Sequence, residues 1–134
     1  MIVADASVIF PFVFEMETSG LARQLHAQDS NWRYPPLWRQ EFSSALLKYV
    51  RAGRCEPGLA NQTFEKALRF FGGHEAEVDD RLALGLALDL GLSAYDAQYV
   101  ALGQQLGAVL VTADKALARR CGGRAVMVDE FGRK

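Results

Sequence analysis

The chain has 134 residues, half of them hydrophobic, with 15 Lys and Arg against 16 Asp and Glu and a formal net charge of −1. That length reads as a single domain over residues 1–134 with room for a real core, and the hydrophobic share excludes general disorder. The charge balance excludes a blanket attraction for nucleic acid, although a local basic patch is enough to bind it.

No apolar run approaches the roughly 20 residues that cross a bilayer. The opening MIVADAS carries an acid and no basic segment, so neither a membrane anchor nor a secretory signal is expected. Cys55 and Cys121 stand far apart without metal-ligand spacing. Reduced thiols and a cytoplasmic location are the expectation.

Met1 to Ala4 reads as a short apolar strand ending at Asp5. Ser7 is expected to cap a helix through VIFPFVF, with Pro11 tolerated because it lies near the helix start. That helix is apolar all round, so more than one face needs a cover. A polar stretch at Thr18 to Gly20 leads into the helix LARQLHAQ. Trp32 to Tyr34 reads as a strand broken by Pro35-Pro36. From Leu37 the period is helical, with Phe42, Ala45, Leu46, Tyr49 and Val50 on one stripe and Gly53 as the stop.

A further helix follows Pro57-Gly58, with Leu59, Phe64, Leu68 and Phe71 among its apolar residues. Glu75 to Val78 is a candidate short strand, and Asp79-Asp80 open the helix RLALGLALDLG. Ser93 caps the helix of LSAYDAQYVALGQQLG. The strand AVLVT, a basic helix and a last strand near Ala125 to Val128 complete the chain. Such alternation predicts an α/β fold with a mainly parallel sheet. Ligands of these sheets bind beyond the carboxyl ends of the strands, where strand order reverses. Asp5 and Asp114 both follow strands, so parallel pairing places them on one edge.

Glu41 and Asp96 sit in first turns of helices with apolar surroundings. Taken singly, each of the four acids has a plain account as cap, dipole partner or surface charge; for Asp114 that account is a helix N-cap. Brought together they repel, and a hard divalent cation relieves that repulsion. An oxygen-only donor set favours Mg²⁺ or Mn²⁺ over Zn²⁺. His26 and His74 are isolated in sequence and read as surface residues.

The stretches VADAS with Asp5, PPLWRQEFSSALLK with Glu41, LSAYDAQYVALG with Asp96 and LVTADKALA with Asp114 together resemble PIN-domain proteins, and among these the VapC-type toxins of toxin–antitoxin pairs. The resemblance covers nearly the whole chain. It implies a three-layer α/β/α sandwich and a Mg²⁺-dependent cytoplasmic endoribonuclease. It further implies a cognate antitoxin seated on the VIFPFVF helix, and a homodimer. One residue departs from the pattern: Ser44 stands where the family often has Asn, one turn after the helix acid.

On this reading the catalytic acids are Asp5, Glu41, Asp96 and Asp114, with Asp5, Asp96 and Asp114 as metal ligands. Glu41 would meet a second ion through water or orient the attacking water. The hydroxyls of Ser7 and Thr112 would hold a carboxylate or a water, although both also suit capping or strand termination. Setting four of the 16 acids aside leaves fewer than the 15 Lys and Arg, so the remaining surface is mildly positive. Lys115, Arg119 and Arg120 are the candidate RNA-phosphate contacts. Arg124 reads as a solvated helix-end charge. Trp38 and Arg39 stand near Glu41 as candidate base contacts, although a Trp at such a position is more often core.

Two other readings deserve comparison. A haloacid-dehalogenase-type phosphotransferase needs a second Asp two positions after the first, and Ser7 stands there. A catalytically silent PIN-like module that binds RNA or protein is the alternative function, and retention of all four acids does not favour it.

Overall fold

A computed structural model describes residues 1–133. Its elements in chain order are β1 (Ile2–Ala4), α1 (Ala6–Val13), α2 (Ser19–Gln28), β2 (Trp32–Arg33), α3 (Trp38–Arg51), α4 (Pro57–Phe71), α5 (Asp80–Leu90), α6 (Ala94–Leu106), β3 (Leu110–Thr112), α7 (Lys115–Cys121) and β4 (Ala125–Met127). The four strands form one sheet in the order β2-β1-β3-β4, and every pairing is parallel. Strand order reverses at β1, which has β2 on one side and β3 on the other. That reversal defines the crevice in which such sheets hold their ligands.

All three residues of β1 and all three of β3 are buried. Because successive side chains point to opposite faces, helices must cover both faces of the sheet. This is the α/β architecture expected from the alternating pattern. The chain turns tightly out of α6: a Cβ on Gly103 would stand 2.9 Å from the Ala108 carbonyl oxygen, so glycine there lets the segment leading into β3 fold back against the helix. An aromatic core of Trp38, Phe42, Tyr34 and Phe71 locks α3 against α4 and the β2 edge.

Several expectations are corrected. Asp5, not Ser7, is the N-cap of α1: its backbone is extended and its carboxylate accepts the Ser7 N–H. Pro11 falls sixth in an eight-residue helix rather than near its start, and the short helix survives because only one N–H, toward Ser7, is lost. Residues 75–78 form no strand. Glu75 makes one parallel bridge to Tyr34, while its side chain draws Gly73 N–H, Trp38 Nε1 and Arg39 onto itself and holds the segment as a loop. The strand expected at 108–112 shortens to Leu110–Thr112. His26 is no surface residue: it is half-buried against Phe12, Trp32 and Phe70.

The remaining helix ends follow the local chemistry of their sequences. Asp79 caps α5 and Ser93 caps α6 through side-chain oxygens, and Gly91 and Gly107 close those helices in left-handed geometry. Cys55 and Cys121 are both free and buried. Among the described residues, no helix is long and apolar enough to cross a membrane.

Candidate active site

Parallel pairing of β1 and β3 puts the residues after them side by side at the carboxyl edge of the sheet. Asp5 follows β1 directly and is only 6% exposed. Its Oδ1 accepts Ser7 Oγ–H at 2.5 Å and the Ser7 N–H at 3.1 Å. Its Oδ2 accepts the hydroxyl of fully buried Thr112, at the end of β3, at 2.5 Å. Ser7 Oγ in turn accepts the Ala113 N–H, and Thr112 Oγ1 accepts the Asp114 N–H. Two hydroxyls thus stitch the ends of β1 and β3 together around one carboxylate. Both residues named from sequence as holders of an acid hold Asp5 in this way.

Burial raises the Asp5 carboxyl from its ordinary 3.8 to about 6, against the hydroxyl bonds that lower it; the charges of Asp96 and Glu41 add to the rise. Glu41, half-buried in the first turn of α3, is likewise raised by burial and by Asp96. Asp96, in the first turn of α6, is raised by burial and then by Asp114, while Arg120 works the other way. Asp5, Glu41 and Asp96 therefore share one electrostatic neighbourhood, and Asp114 joins it through Asp96.

Asp114 is also a helix cap. Its Oδ1 accepts the N–H groups of Ala116 and Leu117 at 2.9 and 3.1 Å, opening α7. The two accounts of this residue are compatible, since a carboxylate tied by one oxygen keeps its charge and its second oxygen. Among the described residues, no three Asp, Glu, His or Cys side chains converge into a ready-made metal cage. Asp5 is occupied at both oxygens and Asp114 at one, so the acids stand as neighbours and not as a closed cluster. By donor chemistry they fit a hard divalent cation: they are all oxygen, and they crowd negative charge into a partly buried edge.

Of the candidate phosphate contacts, Lys115 and Arg119 are exposed on α7. Arg120 donates to the Gly91 carbonyl oxygen at 2.6 Å, which anchors it at the end of α5. Trp38 is fully buried and donates to Glu75, so it offers no face to a base; its core reading holds. Arg39 pairs with the same Glu75 carboxylate at 2.6 Å.

The sequence model of the PIN domain matches residues 2–123. The chain belongs to the PIN-domain family. It is 31% identical over 122 residues to Ribonuclease VapC3 of Pyrobaculum aerophilum, spanning 89% of this chain and 93% of that protein. It is 35% identical over 83 residues to Exonuclease VapC9 of the same organism, spanning 62% of each. A crystal structure of PAE2754, also from Pyrobaculum aerophilum, superposes with a TM-score of 0.76 at 25% identity, over 96% of this chain and 91% of that one. Among PIN domains this one is therefore of the VapC type.

One polar residue of this PIN domain escaped the sequence reading. Tyr99, 1% exposed on α6, donates its hydroxyl to Glu41 Oε1 at 2.6 Å. Its place one turn after Asp96 was the available signal, masked by the apolar neighbours that make it look like plain core. Ser44, at the position of the usual Asn, is exposed on α3.

Proposed function

We propose that this PIN domain is a Mg²⁺-dependent endoribonuclease, the toxin of a toxin–antitoxin pair, hydrolysing RNA phosphodiester bonds at the carboxyl edge of its sheet. The observation that carries the reading is the crowding of Asp5, Glu41 and Asp96, from three parts of the chain, at the strand-order reversal, where burial raises each of them and Asp96 adds to the rise of the other two. The relative that matches most of the chain bears the name ribonuclease, which supports RNA as substrate.

Asp5 and Asp96 would hold the ion, with Asp114 completing the set. A hard divalent cation, Mg²⁺ or Mn²⁺ as substitute, would supply charge neutralisation, phosphoryl polarisation and an acidified water. The chain's own residues do the rest. Ser7 and Thr112 fix the Asp5 carboxylate, so its orientation is set before substrate arrives. Glu41, whose affinity for protons burial has raised, suits the role of base. It takes a proton as the water oxygen attacks phosphorus, the P–O bond to the leaving nucleoside breaks, and that oxygen collects a proton from solvent. Lys115 and Arg119 line the exposed flank for neighbouring phosphates.

The antitoxin has a matching surface beside the acids. An open apolar groove of about 410 Å³ runs between α1 and α3, lined by Phe10, Pro11, Met16, Ala45 and Tyr49 and reaching Ser7 and Ala113. A segment lying there would touch the acidic edge. The apolar surface that α1 carries all round is partly covered within the chain, since Phe10 is buried and Phe12 packs on Trp32, Phe70 and Phe71. Exposed Leu84, Leu88 and Tyr95 give a homodimer a different support.

The test is cleavage of linear and circular RNA by the purified chain. Activity on both that needs Mg²⁺ or Mn²⁺, stops with EDTA and is lost in Asp5→Asn is the expected outcome. Activity untouched by EDTA and by Asp5→Asn would sink it. RNA binding without any cleavage would favour the silent-module alternative.

A further inference from the structure

Tyr99 sits in a place where the core asks for nothing more than a ring. It is 1% exposed among Ala97, Val100, Ala101 and Leu102, and phenylalanine would fill the same volume. A buried phenol without a partner is unfavourable, so a hydroxyl at such a position needs a specific acceptor. That acceptor is Glu41 Oε1, 2.6 Å away and 58 positions distant in sequence. Among the described residues, Glu41 Oε2 accepts from nothing.

We propose that Tyr99 is the positioning residue for Glu41: its hydroxyl holds Oε1 and thereby aims Oε2 at the carboxylate edge formed by Asp5 and Asp96. The inference rests on the proposed hydrolytic reading and deepens it. The geometry explains why the tether comes from α6. Asp96 and Tyr99 lie three residues apart, on one face of the same helix, so the element that presents one acid also fixes another. A Glu side chain has three rotatable bonds, and free in solvent it would leave the site in most of its rotamers. A charge-assisted O–H···O⁻ bond of this length is the strong kind and selects one arrangement before any ligand arrives.

The tether also has an innocent interpretation, in which Glu41 merely satisfies a buried phenol. Tyr34 supplies the control: its buried hydroxyl donates at the same 2.6 Å, but to the Phe71 backbone oxygen. Tyr99→Phe, Tyr34→Phe, Glu41→Gln and the double variant Tyr99→Phe/Glu41→Gln would be compared by single-site RNA cleavage and by Mn²⁺ binding through water-proton relaxation. Tyr99→Phe should lower kcat roughly tenfold or more with KM for RNA unchanged, in the range found when groups that orient a ligand are removed. Its half-saturating Mn²⁺ concentration should rise, Tyr34→Phe should match wild type in both readouts, and the double variant should be no worse than Glu41→Gln alone.

Wild-type behaviour of Tyr99→Phe in both readouts would overturn the proposal, as would a Tyr99→Phe loss that adds in full to that of Glu41→Gln. Should Tyr99→Phe fail to fold, Glu41→Asp is the second probe. Its shorter arm cannot meet the hydroxyl and the acid edge together, so wild-type kcat in that variant also overturns the assignment. Wild type that neither binds Mn²⁺ nor cleaves RNA would remove the hydrolytic reading itself, and the tether's purpose with it.

Discussion

At Asp5 three contacts and one environment pull in opposite directions. Hydroxyls from Ser7 and Thr112 stabilise the charged form, yet burial outweighs them and the carboxyl is held at about 6. A group that is easier to protonate in the folded chain than in the unfolded one stabilises the fold most below its unfolded value, and loses that contribution as pH rises through the folded one. In metal-free protein, stability should therefore fall from about pH 4 to about pH 6, by up to about 3 kcal/mol from this residue. Asp5→Asn, which keeps an acceptor for Ser7 and carries no charge, should remove most of that slope. Thermal melts across that range in EDTA give the answer, and a wild-type midpoint that climbs over the same interval contradicts it. The acid and its two hydroxyls were visible in sequence because they flank strand ends. The Tyr99–Glu41 bond was not, because no local pattern separates a tyrosine that fills space from one that holds a partner 58 positions away.

Helices announced themselves by period and cap, which is why Asp79, Ser93, Gly53, Gly91 and Gly107 end up as stops or starts. Short strands were harder. The segment at 75–78 alternates polar and apolar residues as a strand does, but its Glu and Ala have poor strand preference and the Glu75 carboxylate gathers donors from Gly73, Trp38 and Arg39, which holds it as a loop. Helix α1 was read as needing a cover on more than one face, and the groove it forms with α3 is open. Phe14 and Tyr49 stack at 4.7 Å along it. Tyr49→Glu should cost an antitoxin peptide about 2 kcal/mol, the usual loss at a buried aromatic anchor, while the free variant cleaves RNA as before. Titration of the labelled antitoxin would show it. Unchanged affinity would move the antitoxin elsewhere, and a wild type that stays monomeric at high concentration would rule out the dimer.

Over the whole molecule, one topological fact brings scattered acids toward one edge. Parallel β1 and β3 are neighbours at the reversal of strand order, and that alone brings residues 5 and 114 to one edge. The helices α3 and α6 then deliver Glu41 and Asp96 from the middle of the chain. Charge crowded this way is unfavourable in the metal-free protein, so a cation bound to the native state should stabilise the whole fold. At about ten times its Kd, Mg²⁺ should add roughly 1.4 kcal/mol through binding linkage. Asp96→Asn should leave metal-free stability unchanged or higher, because it removes the charge that repels Asp5 and Glu41 and is itself repelled by Asp114, and it should forfeit most of the Mg²⁺ gain. Four independent caps would behave differently. Asp96 would then have no reason to respond to the ion, and Mg²⁺ would move no melting curve at all. Melts of wild type, Asp5→Asn and Asp96→Asn, with and without Mg²⁺, separate the two accounts. Equal gains in all three proteins would mean that the ion is held by other groups, and the carboxyl edge would lose its proposed chemistry.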